Sequence, residues 1–390
     1  MKEGQSASDE EEEDPTCGAV NPPFEGPPDS TREEEEAAAE DPDDEILGKL
    51  PIPRKLPTIV DIKRALPQHV FQSRMSTSMY YAVKDLVQVA GMFLLAEWVW
   101  SSSLLPTWAL WLLLPVYWLI QGTFFTAMFV LGHDGGHSSF SSSDLLNDVV
   151  GTVFHTFLLC PYYCWKLSHR QHHKNTGNMD KDEVYYPVRE KDHGSVGKLP
   201  TLAVGFAWFN YLVRGYGPRR VYHFNANHPM FAKHTLQCAV SIACVAAWAS
   251  VLWQCALTFG FWKVFVHFVV PEFIFGTFIV IITFLHHTDE NVPWYDNSLW
   301  NFVRGQLSSV DRHYGWCHDI IHNIGTHQIH HLFTKVPHYH LEEATRVFRE
   351  KFPELVQTRE ERILPAFWRM FAKYSAQVVI SDATRVHVYK

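Results

Sequence analysis

The stretch PTWALWLLLPVYWLIQGTFFTAMFVLGHDGGH, Pro106–His137, decides how the rest of the chain reads. Nothing from Pro106 to Leu131 carries a charge, and about 20 apolar residues of helix cross a bilayer core. The stretch therefore reads as a membrane span. It runs straight into Gly132-His133-Asp134-Gly135-Gly136-His137, so two histidines stand one helical turn apart just beyond the apolar zone. Three more stretches are long enough to cross: about Tyr80–Trp100, Thr235–Leu257 and Phe261–Leu285. The short breaks SSSLLP and TFG join the four into two hairpins, which predicts an all-α integral membrane protein.

Two hairpins leave three segments on one side: the chain up to Lys84, the region Gly132–His234, and everything after His286. These segments hold abundant Lys and Arg while the short turns hold none, which places them and both termini in the cytosol. All the histidine-rich text then shares one membrane face, as part of a helical cap. Glu97, Lys263 and Glu272 are costly in lipid and are expected to face protein or an interface, with a kink at Pro271. Val149–Trp165 and Leu202–Val213 are apolar but short, so they are expected to lie on the membrane surface or re-enter it.

Composition points the same way. Hydrophobic residues make up 47% of the 390 and charged ones 19%, below the roughly 25% charge of ordinary globular chains. A small disulfide-rich module and a wholly disordered chain are excluded. The net charge of −9 comes from one end, since residues 1–47 hold 18 acidic and two basic residues and the remainder 24 acidic and 31 basic. That acidic tail is expected to be disordered, and it matches neither a signal peptide nor a transit peptide. The basic body suits anionic lipid or an acidic protein, whereas no basic, aromatic-interleaved stripe suggests nucleic acid. Seven scattered Cys read as buried thiols. Residues 48–79 form a pre-membrane segment with an amphipathic helix around Val60–Leu66, Lys63 and Arg64 toward headgroups. Residues 80–365 form the membrane domain and 366–390 a cytosolic tail.

Among 23 histidines, spacing singles out eight. His133 and His137 lie in GHDGGH, His169, His172 and His173 in SHRQHH, and His327, His330 and His331 in THQIHH. Positions i, i+3 and i+4 share one helical face, so these rings can converge. Neutral imidazole is a good ligand for iron or zinc. Eight imidazoles exceed the needs of one ion and suggest two. An almost all-histidine pair of sites suits O2 chemistry better than simple hydrolysis. Two irons with O2 and two external electrons can remove hydrogen from an unactivated carbon, and a fatty-acyl chain from the bilayer fits the location.

In these motifs the chain resembles the membrane-bound fatty acid desaturases over about Thr58 to Pro365. The blocks HKNTGNMDKDEVYYP (His173–Pro187), PWYDNSLW (Pro293–Trp300), LSSVDRHYG (Leu307–Gly315) and VPHYHLEEAT (Val336–Thr345) resemble the methyl-end branch of Δ12 and omega-3 enzymes. With FLHHTDENVPWY and WFNYLVRGYGPR they are most similar to oomycete-like omega-3 desaturases. The resemblance implies a di-iron centre, an acyl tunnel, and a ninth ligand, His287, with His286 a weaker candidate. It implies O2 as co-substrate, a phospholipid- or CoA-linked acyl chain of eighteen or twenty carbons, and the endoplasmic reticulum membrane. Electrons would come from cytochrome b5 and its NADH-dependent reductase. Gly135 departs from the pattern, where most relatives carry Cys, and adjusted packing is expected there.

Around the ligands, Asp134 could fix a ring tautomer or cap a helix, Asp311 and Arg312 could pair beside the site or merely brace the cap, and His322 could reach the centre. His69, His338 and His340 lack ligand spacing and read as surface or hydrogen-bonded core histidines. Two rival functions stay open: a Δ12 desaturase acting on oleoyl chains, and a histidine-rich metal transporter or sensor.

Overall fold

In a computed structural model, residues 46–50, 52–195 and 204–390 are described; the acidic tail expected to be disordered lies outside them, apart from its last two residues. Thr58 opens the first helix, α1 (Ile59–Ala65), with a capping box: its hydroxyl accepts from Asp61 N, while the Asp61 carboxylate accepts from Thr58 N. Then come α2 (Met75–Ser101), α3 (Thr107–Gly136), α4 (Asp144–Phe157), α5 (Tyr162–Asn175) and α6 (Gly205–Arg214). The long α7 (Thr235–Phe259) is followed by α8 (Phe261–His287). The rest is short helices α9 (Phe302–Gln306) and α10 (His327–Leu332), then α11 (His338–Lys351) and α12 (Ile363–Gln377).

Among the described residues three helices are long and apolar enough to cross a membrane: α3, α8, and α7 with the turn before it (Pro229–Phe259). The expected span near Tyr80–Trp100 is helical as α2, but Lys84, Asp85 and Glu97 dilute its hydropathy. Those charges are turned to protein partners. Asp85 is buried against His322, and Glu97 bonds Lys263 Nζ at 2.5 Å and His267 Nε2 at 2.8 Å. The outer face of α2 stays apolar, with Tyr80, Val87, Leu94 and Trp98 exposed.

Helix α3 is the axis of the fold, packed against α2, α4 and α8. Helices α6 and α8 cross where Gly205 meets Gly276: a Cβ on Gly205 would lie 2.3 Å from Phe273 O, so only glycine allows the approach. A π-helical turn at Phe265–Val269 precedes Pro271, where the kink was expected, since proline leaves its backbone acceptor unpaired. The second pair of long helices turns sharply at Gly260 (φ 92°) but does not run on as a packed hairpin. Helix α7 packs on α4 and α5, and α8 on α3 and α6. Phe157 at the end of α4 packs against both, its ring 5.4 Å from Trp248 of α7 and 5.6 Å from Phe268 of α8, which lie 6.2 Å from each other.

The apolar run Val149–Trp165 is two helices. Leu159, at φ 52°, and Pro161 break it between α4 and α5. The apolar face of α1 does not turn to lipid as expected. Ile62, Leu66 and Val70 are buried with Leu341 and Phe348 of α11. Residues 366–390 are no free tail. Phe367 and Met370 enter the main core, and β6 (Val386–Val388) pairs antiparallel with β2 (Pro293–Tyr295). Two further ladders, β1 (Val188–Arg189) with β5 (Val379–Ile380) and β3 (Asp311–Arg312) with β4 (Thr358–Arg359), are parallel.

Candidate metal centre

Four helix ends carry nine histidines into one place. His133 and His137 close α3, His169, His172 and His173 line α5, His287 is the last residue of α8, and His327, His330 and His331 belong to α10. Possible ligand atoms of His133, His137, His169, His173 and His330 lie within 4.8 Å of one another, and so do those of His172, His287 and His331. His327 joins the second group, its Nε2 3.1 Å from that of His287 and 2.9 Å from that of His331. The two groups touch where the rings of His173 and His331 stack at 4.1 Å.

The donor set fits metal. Nε2–Nε2 separations of 3.1 Å (His169–His173), 3.2 Å (His173–His330) and 3.2 Å (His172–His287) match the spacing of about 3 Å between imidazole nitrogens bound to one ion at about 2.1 Å. Hydrogen bonds among the rings do not satisfy them, because His137 Nε2 and the Nδ1 atoms of His133, His173, His287 and His327 are buried without a partner. Burial first, and repulsion by neighbouring imidazoles second, hold His169, His173, His327 and His331 well below the usual histidine range, in the neutral form that binds metal. His172 differs. Burial would lower it, but the Asp182 carboxylate 2.8 Å from Nδ1 outweighs burial and raises it.

A largely apolar cavity adjoins the rings. Thr126, Phe129, Trp208, Tyr211, Val280 and Thr283 line it together with His133, His169, His172, His287 and His327. Phe129, Trp208 and Phe275 pack edge-on or tilted, 5.3–5.9 Å apart, beside its wall.

Comparison with known proteins decides the class, for the family model described as fatty acid desaturase matches residues 106–362. The chain belongs to the fatty acid desaturase family. The desaturase is 36% identical to a protein named sn-1 acyl-lipid omega-3 desaturase (ferredoxin) from Synechocystis sp., over 83% of this chain and 90% of that one. It is 39% identical to the acyl-lipid omega-3 desaturase (cytochrome b5), endoplasmic reticulum, of Arabidopsis thaliana, over 74% and 75%. A Δ12 fatty acid desaturase of Calendula officinalis is 36% identical over 82% and 87%. The desaturase is thus an oxidoreductase, and the transporter or sensor reading falls away.

Around the centre the structure redraws several expected contacts. Asp311 and Arg312 do not pair with each other. Asp311 Oδ1 accepts from His327 N at 2.7 Å and Gln328 N at 2.8 Å, capping α10, while Oδ2 takes Arg349 at 2.8 Å. Arg312 binds Asp289 and the carbonyl of Leu285. Asp134 Oδ2 accepts from the backbone N–H and Nδ1 of His338, at 3.2 and 2.9 Å, whereas His133 Nδ1 stands 3.7 Å from Oδ1. His286 turns both ring nitrogens away, to Val310 O and Tyr314 OH, and stacks on His327 at 4.1 Å. His322 is held by Asp85 at 2.7 Å and touches His338, not the clustered rings.

Three supporting residues escaped the sequence reading. Asp182 and Gln306 accept from the Nδ1 atoms of His172 and His331, at 2.8 and 3.1 Å, which leaves each Nε2 lone pair aimed inward. His338 is the third, through Asp134. Asp182 sat in a quoted block, yet nothing in its spacing set it apart from Asp180.

Gly135 has a clear structural reason. A Cβ there would lie 2.6 Å from the backbone oxygen of Asn147, where α3 crosses α4. Gly135→Cys is expected to destabilise the protein by about 1–3 kcal/mol through overpacking, read as a lower Tm of the detergent-solubilised chain.

Proposed function

We propose that this desaturase holds two iron ions, one in each histidine group, and inserts a cis double bond near the methyl end of a polyunsaturated acyl chain of eighteen or twenty carbons. The ligands in this reading are His133, His137, His169, His172, His173, His287, His327, His330 and His331. The observation that carries it is nine converging imidazoles, five of which line an apolar cavity. When bound, the irons supply O2 activation with two external electrons, so that two C–H bonds and two protons are consumed and two waters leave.

The protein's part is placement. Apolar walls from α3, α6 and α8 guide the acyl chain to the rings and keep bulk water away. Asp182 and Gln306 hold the rings of His172 and His331 at fixed tautomers.

In this reading α2 is a fourth span, its charges sheltered and its outer face apolar, and both termini lie in the cytosol. The endoplasmic reticulum and cytochrome b5 are supported by the name of the Arabidopsis relative, and an NADH-dependent reductase would in turn reduce the cytochrome b5. The ferredoxin in the Synechocystis name marks the other donor used by relatives. The Calendula relative keeps Δ12 desaturation as the second reading.

A yeast host with its own cytochrome b5, expressing the protein and fed linoleic and arachidonic acids separately, tests the assignment. New α-linolenic or eicosapentaenoic acid is expected. Linoleic acid made from endogenous oleic acid, with no omega-3 product, would move the double bond to Δ12.

A further inference from the structure

Apart from the histidine centre, one more group of metal-binding side chains converges among the described residues. His69, on the turn Gln68–Phe71 that precedes α2, meets His340 and Glu343 of α11, with ligand atoms within 4.8 Å of one another. His69 Nε2 lies 2.9 Å from Glu343 Oε2, and His340 Nδ1 lies 4.0 Å from the same oxygen. His340 and Glu343 are three residues apart on one helical face. The Nε2 atom of His340 is buried without a hydrogen-bond partner.

The two halves of this cluster are positioned by other contacts. Val70 is fully buried, Phe71 stands edge-on to Phe333 at 5.3 Å, and Arg74 N donates to Tyr339 OH at 2.6 Å. The three side chains therefore face each other on a surface that is already built, and a ligand pays little to order it.

We propose that His69, His340 and Glu343 form a second metal site, for one Zn2+, with water completing its coordination. Two imidazoles and one carboxylate are a zinc donor set with an open position. Calcium and magnesium ask for oxygen ligands and are poorly served. Arg74 and Arg346, which act on His340 and Glu343, oppose a cation, so this site binds more weakly than a closed four-ligand site. Zinc here would tie the segment entering the membrane to α11, whose first residue, His338, holds Asp134 beside the first histidine motif.

The test titrates Zn2+ alone into the full-length, iron-loaded protein in detergent micelles, by calorimetry, with iron content followed in parallel. Wild type is expected to take up one zinc that His69→Ala and Glu343→Gln do not, without losing iron. Its Tm should rise with zinc, whereas theirs should not. Product formation without added zinc should match wild type in both variants, since neither residue touches the centre or the cavity. Equal uptake by all three proteins would mark adventitious binding or iron displacement. That result, or no uptake by wild type at millimolar zinc, overturns the proposal and leaves His69–Glu343 as an ion pair.

Discussion

His330→Ala is expected to abolish desaturated product while the chain still inserts in the membrane. His330 sits at the middle of the five-histidine group: its Nε2 is 3.2 Å from that of His173, and its ring is 4.6 Å from His133 and 5.1 Å from His137. Removing it would strip one ligand from an ion that the other four rings cannot re-enclose, because they are fixed in pairs on α3 and α5. The fold should tolerate the loss. The hydrogen-bond partner of the His330 side chain is the ring of His173, so its loss unties no other element from the backbone. The measurement is a fatty-acid profile alongside iron per chain and the membrane-bound fraction. Product at wild-type level would sink the assignment of His330 as a ligand.

The second large effect is expected at Asp182, which is not a ligand in this account. Asp182→Ala should lower iron retention or activity by about 10–100-fold, the usual cost of losing a partner that orients a ligand imidazole. Asp182 Oδ1 accepts from His172 Nδ1 at 2.8 Å and from the backbone N–H groups of Glu183 and Val184. Alanine leaves three donors unmet, two of them buried. Asp182→Asn keeps an acceptor oxygen and removes the charge, so it should recover part of the activity. If both variants hold iron and turn over normally, Asp182 is a turn-former and nothing more. Iron content separates the two cases independently of product yield.

How much of this was legible in the chain depends on how local each signal is. His133 and His137, and the two later triads, announce themselves because ligation from one helix face imposes i, i+3, i+4 spacing. Helices α3, α7 and α8 announce themselves through long, predominantly apolar runs. Asp182, Gln306 and His338 do not, since each meets its partner through tertiary contact across 10, 25 and 204 residues. The packing of α7 on α4 and α5 and of α8 on α3 and α6 is equally silent, for Phe157 comes to it from a helix read as re-entrant or surface-lying. Asp311 and Arg312 invited pairing because they are adjacent, yet neighbours in a strand point to opposite faces, and each found a partner elsewhere.

The β2–β6 ladder bears on the order of events during synthesis. Tyr295 of β2 donates to Gly177 O at 2.8 Å, and Met179 N donates to Tyr295 O at 2.8 Å, so β2 clasps the loop between His173 and Asp182. Its other edge is held by Val386, His387 and Val388. A nascent chain acquires every histidine of the three motifs by residue 331, but the strand that backs this loop arrives only near residue 388. Segments generally fold in the order in which they are made, yet here the first-made loop waits for almost the last. A stop codon upstream of Val386 would therefore yield a protein with all nine imidazoles and an unbacked wall beside them.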